Sequence, residues 1–168
     1  MSGANRRHVR ICVNLTRRLD ERLEGSACEA FTSDMRVKVT ATGLYTYPDA
    51  SIACGGAQFE DAEVDVLLNP KVIFEVLSKS TERRDRGWKF DQYCKLPSLA
   101  EYVLISQEQP LVEHFIRQPD GNWILERIND LDASLKLTAA EISLTLVEIY
   151  RGVDFGPEED FPPAAPPT

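Results

Sequence analysis

Apolar and polar positions along the chain follow two distinct periods. Over residues 5–24, Cys12, Leu15, Leu19 and Leu23 recur at helical spacing, with Arg10, Asn14, Arg17, Arg18 and Glu21 on the other faces and Gly25 as a C-terminal stop. That pattern predicts one amphipathic helix. The period then drops to two. Met35, Val37 and Val39 alternate with Arg36 and Lys38, so residues 28–39 read as a half-buried strand, the stretch TATG as a turn, and residues 45–53 as a second strand. The two are expected to form a hairpin, with Pro48 at an edge or bulge where no ladder hydrogen bond is needed.

Residues 54–69 carry acids and glycines and read as a loop with at most a short apolar turn. The near-continuous apolar run KVIFEVLS at 71–78 has the signature of a strand covered on both faces, the expected central strand. Ser80 or Thr81 then caps a helix whose first turn carries Glu82 and whose apolar face is Phe90, Tyr93 and Cys94, until Pro97 stops it. EYVLIS at 101–106 is another buried strand. VEHFIRQ and NWILERI flank PDGN, a hairpin signal through Asp120 and Gly121, and residues 145–151 suit a closing helix. The expected fold is therefore α/β, ordered helix, three strands, helix, strand, with an appended hairpin and C-terminal helix and no internal repeat.

The chain has 168 residues, 43% hydrophobic and 27% charged, which supports one packed domain and excludes wholesale disorder and fibrous repeats. That domain is expected over residues 1–153. Residues 154–168 hold four acids, no bases and five of the ten prolines, and read as a disordered tail. No window approaches the ~18 consecutive apolar residues of a membrane span, and the N-terminus lacks the apolar stretch of a signal peptide, so the cytoplasm is the expected compartment. Cys12, Cys28, Cys54 and Cys94 show no CxxC or Cys/His pairing; the reading is ordinary reduced thiols and no zinc site.

Net charge is −8, which does not suit a protein that tracks along nucleic acid by charge alone. Positive charge is nonetheless concentrated: residues 1–38 hold eight Arg or Lys against five acids, and residues 79–95 hold six against three. A local anion site is compatible with that distribution.

Candidate chemistry starts at Glu75, in the middle of VIFEVL. An ionised carboxylate buried without a partner costs several kcal/mol, so Glu75 must be paired, protonated or bound to a cation. Asp49 follows Pro48 on the preceding strand, 26 residues earlier, where two carboxylates can converge. Asp85, Lys89 and Tyr93 stand at i, i+4 and i+8 on the next helix, so Lys89 either points back at the carboxylates or forms a surface pair with Asp85. An aspartate, a glutamate on a buried strand and a lysine suit Mg²⁺-assisted phosphodiester hydrolysis, because carboxylate oxygens match a hard cation and an ammonium orients water or offsets developing charge.

The stretches FTSDMRVKV, YPDASIAC, NPKVIFEVLSKSTERRDRGWKFDQYCKLPSLAEYVLIS and LVEIYRGVDF resemble the Uma-two endonuclease family of the restriction-endonuclease-like PD-(D/E)xK superfamily, over most of residues 8 to 155. The resemblance implies an Mg²⁺-dependent DNA endonuclease, with Mn²⁺ as a substitute ion. Asp49 takes the role of the motif's first acid and Glu75 its second, both as metal ligands aided by a main-chain carbonyl near Val76. Leu77 stands where the superfamily's lysine usually does; Lys89, on the next helix, takes that role as catalytic residue, with Lys79 as competitor.

Family members usually begin with a further segment ahead of the first helix, and Ser106 replaces an aspartate common at the end of its strand. The resemblance therefore leaves a rival reading, a catalytically silent binding or scaffold module on the same fold. A phosphatase of small substrates is a second one. His8 matches a histidine common at the start of the family's first helix, and reads either as a metal or phosphate contact or as a surface cap. Arg83, Arg84 and Arg86 suit a phosphate backbone or a solvated helix face, and Trp88 and Trp123 suit base stacking or packing. Nucleases of this fold often pair, so a homodimer is expected.

Overall fold

The computed structural model describes residues 4–156 and residue 166. The first helix, α1 (Arg6–Leu23), begins where the Asn5 side chain accepts a hydrogen bond from the His8 N–H at 2.9 Å. Its buried stripe is Ile11, Asn14, Leu15, Leu19 and Leu23. Each fully buried leucine or isoleucine there contributes about 1.5–3 kcal/mol of apolar burial.

The expected hairpin is present but bends across two sheets. Residues 28–39 divide into β1 (Cys28–Thr32) and β2 (Arg36–Val39), and residues 44–54 into β3 (Leu44–Thr46) and β4 (Ala50–Cys54). β1 pairs with β4 and β2 with β3, both antiparallel. A turn closed by the Met35 N–H on the Thr32 carbonyl breaks one strand. Pro48, which has no N–H to give to a ladder, breaks the other.

The loop contributes a two-residue strand, β5 (Val66–Leu67), that joins the small sheet in the order β3-β2-β5. β6 (Val72–Leu77) is buried along its whole length, and β7 (Glu101–Ser106), β8 (Val112–Arg117) and β9 (Trp123–Ile128) follow. The main sheet has the order β1-β4-β6-β7-β8-β9, with β6 and β7 parallel and the other pairs antiparallel. β8 and β9 turn through Gly121 at φ +87°, a conformation that suits glycine.

Where one helix was expected after β6, the chain forms two, α2 (Glu82–Arg86) and α3 (Trp88–Tyr93), broken at Gly87 with ψ −89°. A second hairpin was not anticipated: β10 (Ser134–Leu137) and β11 (Ile142–Thr145), joined by a 3₁₀ turn. α4 (Leu146–Ile149) then closes the fold with a Thr145–Glu148 capping box. Buried Asn14 donates to the carbonyls of Ile149 and Arg151 at 2.9 and 2.7 Å, tying α4 to α1.

The main sheet separates two cores. Val72, Phe74, Val76, Val103 and Ile105 face α1, α4 and the second hairpin. Ile73, Leu77, Tyr102 and Leu104 face Tyr93, Leu96 and Leu99. Alternation along β6 places Glu75 on the second face, as the polar interruption between Ile73 and Leu77.

Two expectations need correction. Cys28 and Cys54 are not free thiols: the β1–β4 register puts them opposite each other with Cα atoms 4.0 Å apart, and they are disulfide-bonded. Their separation of 26 residues hides that proximity in the sequence. Cys12 and Cys94 are free. The predicted tail boundary at 154 also falls too early, because the Arg7 guanidinium donates to the carbonyls of Asp154 and Gly156 at 2.8 and 2.5 Å, and Phe155 packs edge-on against Tyr150. The rest of that predicted tail, residues 157–165 and 167–168, lies outside the described residues. No helix among the described residues is long and apolar enough to cross a membrane.

Candidate active site

Sheet register brings the two predicted acids together. The last β4–β6 pair is Ala50 with Phe74, so one further step sets Asp49 opposite Glu75. Asp49 is fixed there because its Oδ2 accepts the Val76 N–H at 2.7 Å. Its Oδ1 lies 3.2 Å from the Nε2 of His8, at the start of α1.

Glu75 is 3% exposed, and the second face of the sheet supplies its partners. The Lys89 ammonium and the Tyr93 hydroxyl both donate to Glu75 Oε1, at 3.1 and 3.0 Å. The lysine also lies 3.1 Å from Asp85 Oδ1, and Asp85 is 1% exposed. The solvated Asp85–Lys89 pair that the spacing also allowed is therefore not what forms; the pair is turned inward against Glu75. Tyr102 braces it, its hydroxyl donating to the Asp85 carbonyl at 2.8 Å.

These contacts settle the position of each lysine. Lys89 meets Glu75, whereas Lys79 lines an open groove of about 490 Å³ with Glu82, Arg83, Arg86 and Gly87. Tyr93 and Asp85 belong to the cluster, although the sequence marked them only as sharing a face with Lys89. Their i, i+4, i+8 spacing was the available signal, and it survives the break at Gly87.

Burial pushes the Glu75 carboxyl from an ordinary 4.5 up to about 8; Lys89 pulls it down, while Asp49 and Asp85 push it further up. Burial alone would lower Lys89, but the charges of Glu75 and Asp85 outweigh it and leave the ammonium above its ordinary value. The cluster thus retains protons that a bound cation would displace.

A second group of donors adjoins Asp49. Cys12 stands one helical turn after His8, with its sulfur 3.7 Å from His8 Nδ1. Burial, then the nearby Asp49 and Glu75 charges, raise the Cys12 thiol to about 12. The expected absence of Cys/His pairing therefore fails locally: His8 and Cys12 pair through helix geometry, without a CxxC motif.

The basic and aromatic candidates divide. Arg86 is held by Glu113 and Glu82 at 2.5 and 3.0 Å. Arg84 stacks on Trp88 at 4.6 Å from the ring centre, and Trp88 is 44% exposed. Trp123 instead packs against Phe90 and under Arg117.

A parallel β6–β7 pair at the centre of a mixed sheet, α1 on one face, the β6-following helices on the other and the acids at β4 and β6 make up a restriction-endonuclease-like fold. A solved structure described as a putative nuclease belonging to DUF820, from Anabaena variabilis, has the same fold at a TM-score of 0.73 and 15% identity, covering 89% of this chain and 83% of that one. The chain belongs to the Uma2 family, described as "Putative restriction endonuclease", whose model matches residues 1–147. Two uncharacterized proteins of Synechocystis sp. are similar to it. One, slr1290, is 32% identical over 155 residues, which is 92% of this chain and 80% of that protein. The other, sll1609, is 33% identical over 142 residues, 84% of this chain and 80% of that protein.

Proposed function

We propose that the protein is a divalent-metal-dependent endonuclease that hydrolyses DNA phosphodiester bonds. The observation that carries this reading is the approach of Lys89 to Glu75, at the strand position opposite which the β4–β6 register sets Asp49. The residues present fit a hard cation. Glu75 Oε2 has no hydrogen bond among the described residues and Asp49 Oδ1 faces only His8 Nε2 at 3.2 Å, whereas their partner oxygens are held by Val76, Lys89 and Tyr93. Such a set suits Mg²⁺, with Mn²⁺ as substitute.

The ion, when bound, supplies an activated water and offsets negative charge building at phosphorus. The protein's own groups do the positioning. Val76 fixes the Asp49 carboxylate, and Tyr93 fixes Glu75. The Lys89 ammonium, steadied by Asp85, donates toward the attacking water and a phosphate oxygen, and is placed before the reaction begins. Asp49 and Glu75 would hold the ion, Glu75 as the deprotonated carboxylate.

Lys79 and Arg83 line the groove with Glu82 and the carboxylate-paired Arg86, and the first two cations support a phosphate backbone as substrate despite the negative net charge. Arg84 on exposed Trp88 adds a cationic, aromatic surface beside it. Cutting both strands of a duplex calls for two such sites, and a homodimer is part of the proposal.

The test is incubation of supercoiled and linear DNA with the protein and Mg²⁺ or Mn²⁺, beside Asp49→Asn and Glu75→Gln, with calorimetric titration of Mn²⁺ into all three. Nicking and saturable Mn²⁺ binding are expected for the wild type and are lost in both variants. A folded wild type that neither binds Mn²⁺ nor cuts DNA is a silent module on a nuclease fold. Turnover of phosphomonoesters without DNA cleavage moves the site to small substrates.

A further inference from the structure

We propose that His8, Cys12 and Asp49 form a site for a thiophilic transition-metal ion of the Zn²⁺ class. It adjoins the proposed Mg²⁺ site and shares Asp49 with it.

The donors are built in by local structure. His8 is held in the first turn of α1 by the Asn5 cap, and Cys12 follows four residues later on the same helix face. Asp49 is presented to that face from the start of β4, anchored by the Val76 N–H. One ligand atom from each of the three lies within 4.8 Å of the other two. A tetrahedral ion with bonds of ~2.0–2.3 Å sets its donors roughly 3.3–3.8 Å apart, so small side-chain rotations close the site. The side chains of His8 and Asp49 are 20% and 16% exposed, which leaves a route for an ion and a fourth position for water.

Charge supports a cation over the other use of the same atoms. Asp49, His8 and Cys12 in series also resemble a relay for a nucleophilic thiolate, which depends on positive surroundings to lower the thiol pKa. Here the third member of the cluster is the Asp49 carboxylate, whose Oδ1 lies 3.2 Å from His8 Nε2, so the thiol's built-in neighbour is an anion. A dication makes that same charge favourable, and a coordinated thiol is deprotonated outright.

The donor set also predicts selectivity. Sulfur and imidazole favour Zn²⁺ and Co²⁺ over Mg²⁺, whereas Asp49 and Glu75 together offer only oxygen. Because Asp49 belongs to both groups, an ion on His8 and Cys12 withdraws it from the Mg²⁺ pair, and Zn²⁺ acts as an inhibitor of cleavage. That last step rests on the proposed nuclease reading; the site itself does not.

The test is Co²⁺ titration of the full-length protein carrying Cys94→Ser, which leaves Cys12 as the free thiol. A near-ultraviolet sulfur-to-cobalt charge-transfer band is expected, displaced by Zn²⁺ and untouched by excess Mg²⁺. It is lost on adding Cys12→Ser, weakened by His8→Asn, and retained with Glu75→Gln. No band in the folded protein, or a band that persists after Cys12→Ser, overturns the proposal. Failure of the nuclease reading leaves the band intact. Failure of the zinc-class site leaves Mg²⁺-dependent cleavage intact and insensitive to Zn²⁺.

Discussion

Two carboxylates are buried on neighbouring parallel strands, Glu75 in β6 at 3% exposure and Glu101 in β7 at 1%, on opposite faces of one sheet. Glu75 is met by an ammonium, a phenol and, across the strand end, a second carboxylate whose other oxygen faces His8. Glu101 has only His114 at 3.7 Å, without a hydrogen bond, and the Ala139 N–H at 3.4 Å. Its Oε2 and both His114 ring nitrogens have no hydrogen bond among the described residues, and His114 Nδ1 lies 4.0 Å from the exposed Glu126 carboxylate. Equal burial thus accompanies two different environments. What distinguishes Glu75 is convergence: Lys89 and Tyr93 of α3 meet it directly, Asp85 of α2 holds the lysine, and the β4–β6 register sets Asp49 opposite it. Glu101 and His114 form a closed pair under the second hairpin.

The largest expected effect contrasts the two acids directly. Glu75→Gln or Asp49→Asn lowers DNA cleavage by about 10³-fold or more and removes Mn²⁺ binding, while Glu101→Gln leaves Mn²⁺ binding unchanged by calorimetry. Equal loss in all three variants would erase the distinction.

Proton linkage gives the next effect. A carboxyl raised from 4.5 to about 8 in the folded protein contributes stability that is complete below pH 4.5 and is lost as pH rises through 8. The unfolded chain releases that proton first, so ion-free stability falls across this window by about 3–5 kcal/mol. Urea melts from pH 5 to 8.5 are expected to show the slope in the wild type and not in Glu75→Gln, with added Mn²⁺ reversing it. A slope that persists in Glu75→Gln assigns it to another group.

Lys89→Met is expected to lower kcat by about 10²-fold while calorimetry still finds bound Mn²⁺, because in the proposed mechanism the lysine positions water and phosphate and does not hold the ion. Loss of Mn²⁺ binding together with kcat would instead make Lys89 a prop for Glu75.

The smallest effect belongs to the closed pair. Glu101→Leu or His114→Leu singly costs about 2 kcal/mol by leaving a buried polar partner alone, and the double replacement recovers to within about 1 kcal/mol of wild type in urea melts. Additive losses would show that the pair stabilises the fold as it stands.

Much of this organisation is readable along the chain. The helical period of Leu15, Leu19 and Leu23, the apolar run around Glu75 and the Asp120–Gly121 turn each express a local preference, and each element forms where that preference lies. Glu75 is conspicuous in sequence because a carboxylate within an apolar strand is costly by itself. Lys89 is suggested by its helix face. The second hairpin over 134–145 was missed because its alternation is short and lies between polar stretches.

Contacts across large separations were not readable in this way. Cys28 and Cys54 meet through a strand register, Asp85 on α2 is tied through its carbonyl to Tyr102 of β7, and Cys12 acquires chemical surroundings only when β4 docks beside α1. Local pattern was enough for α1, β6, β7, the β8–β9 hairpin and α4, and for marking Glu75 as chemically unusual, because those properties depend on neighbours a few positions away. Folding fixed which carboxylate gains a lysine, which is shut away with a histidine and which lies beside a thiol. Register and packing bring together residues whose spacing along the chain carries no sign of the encounter.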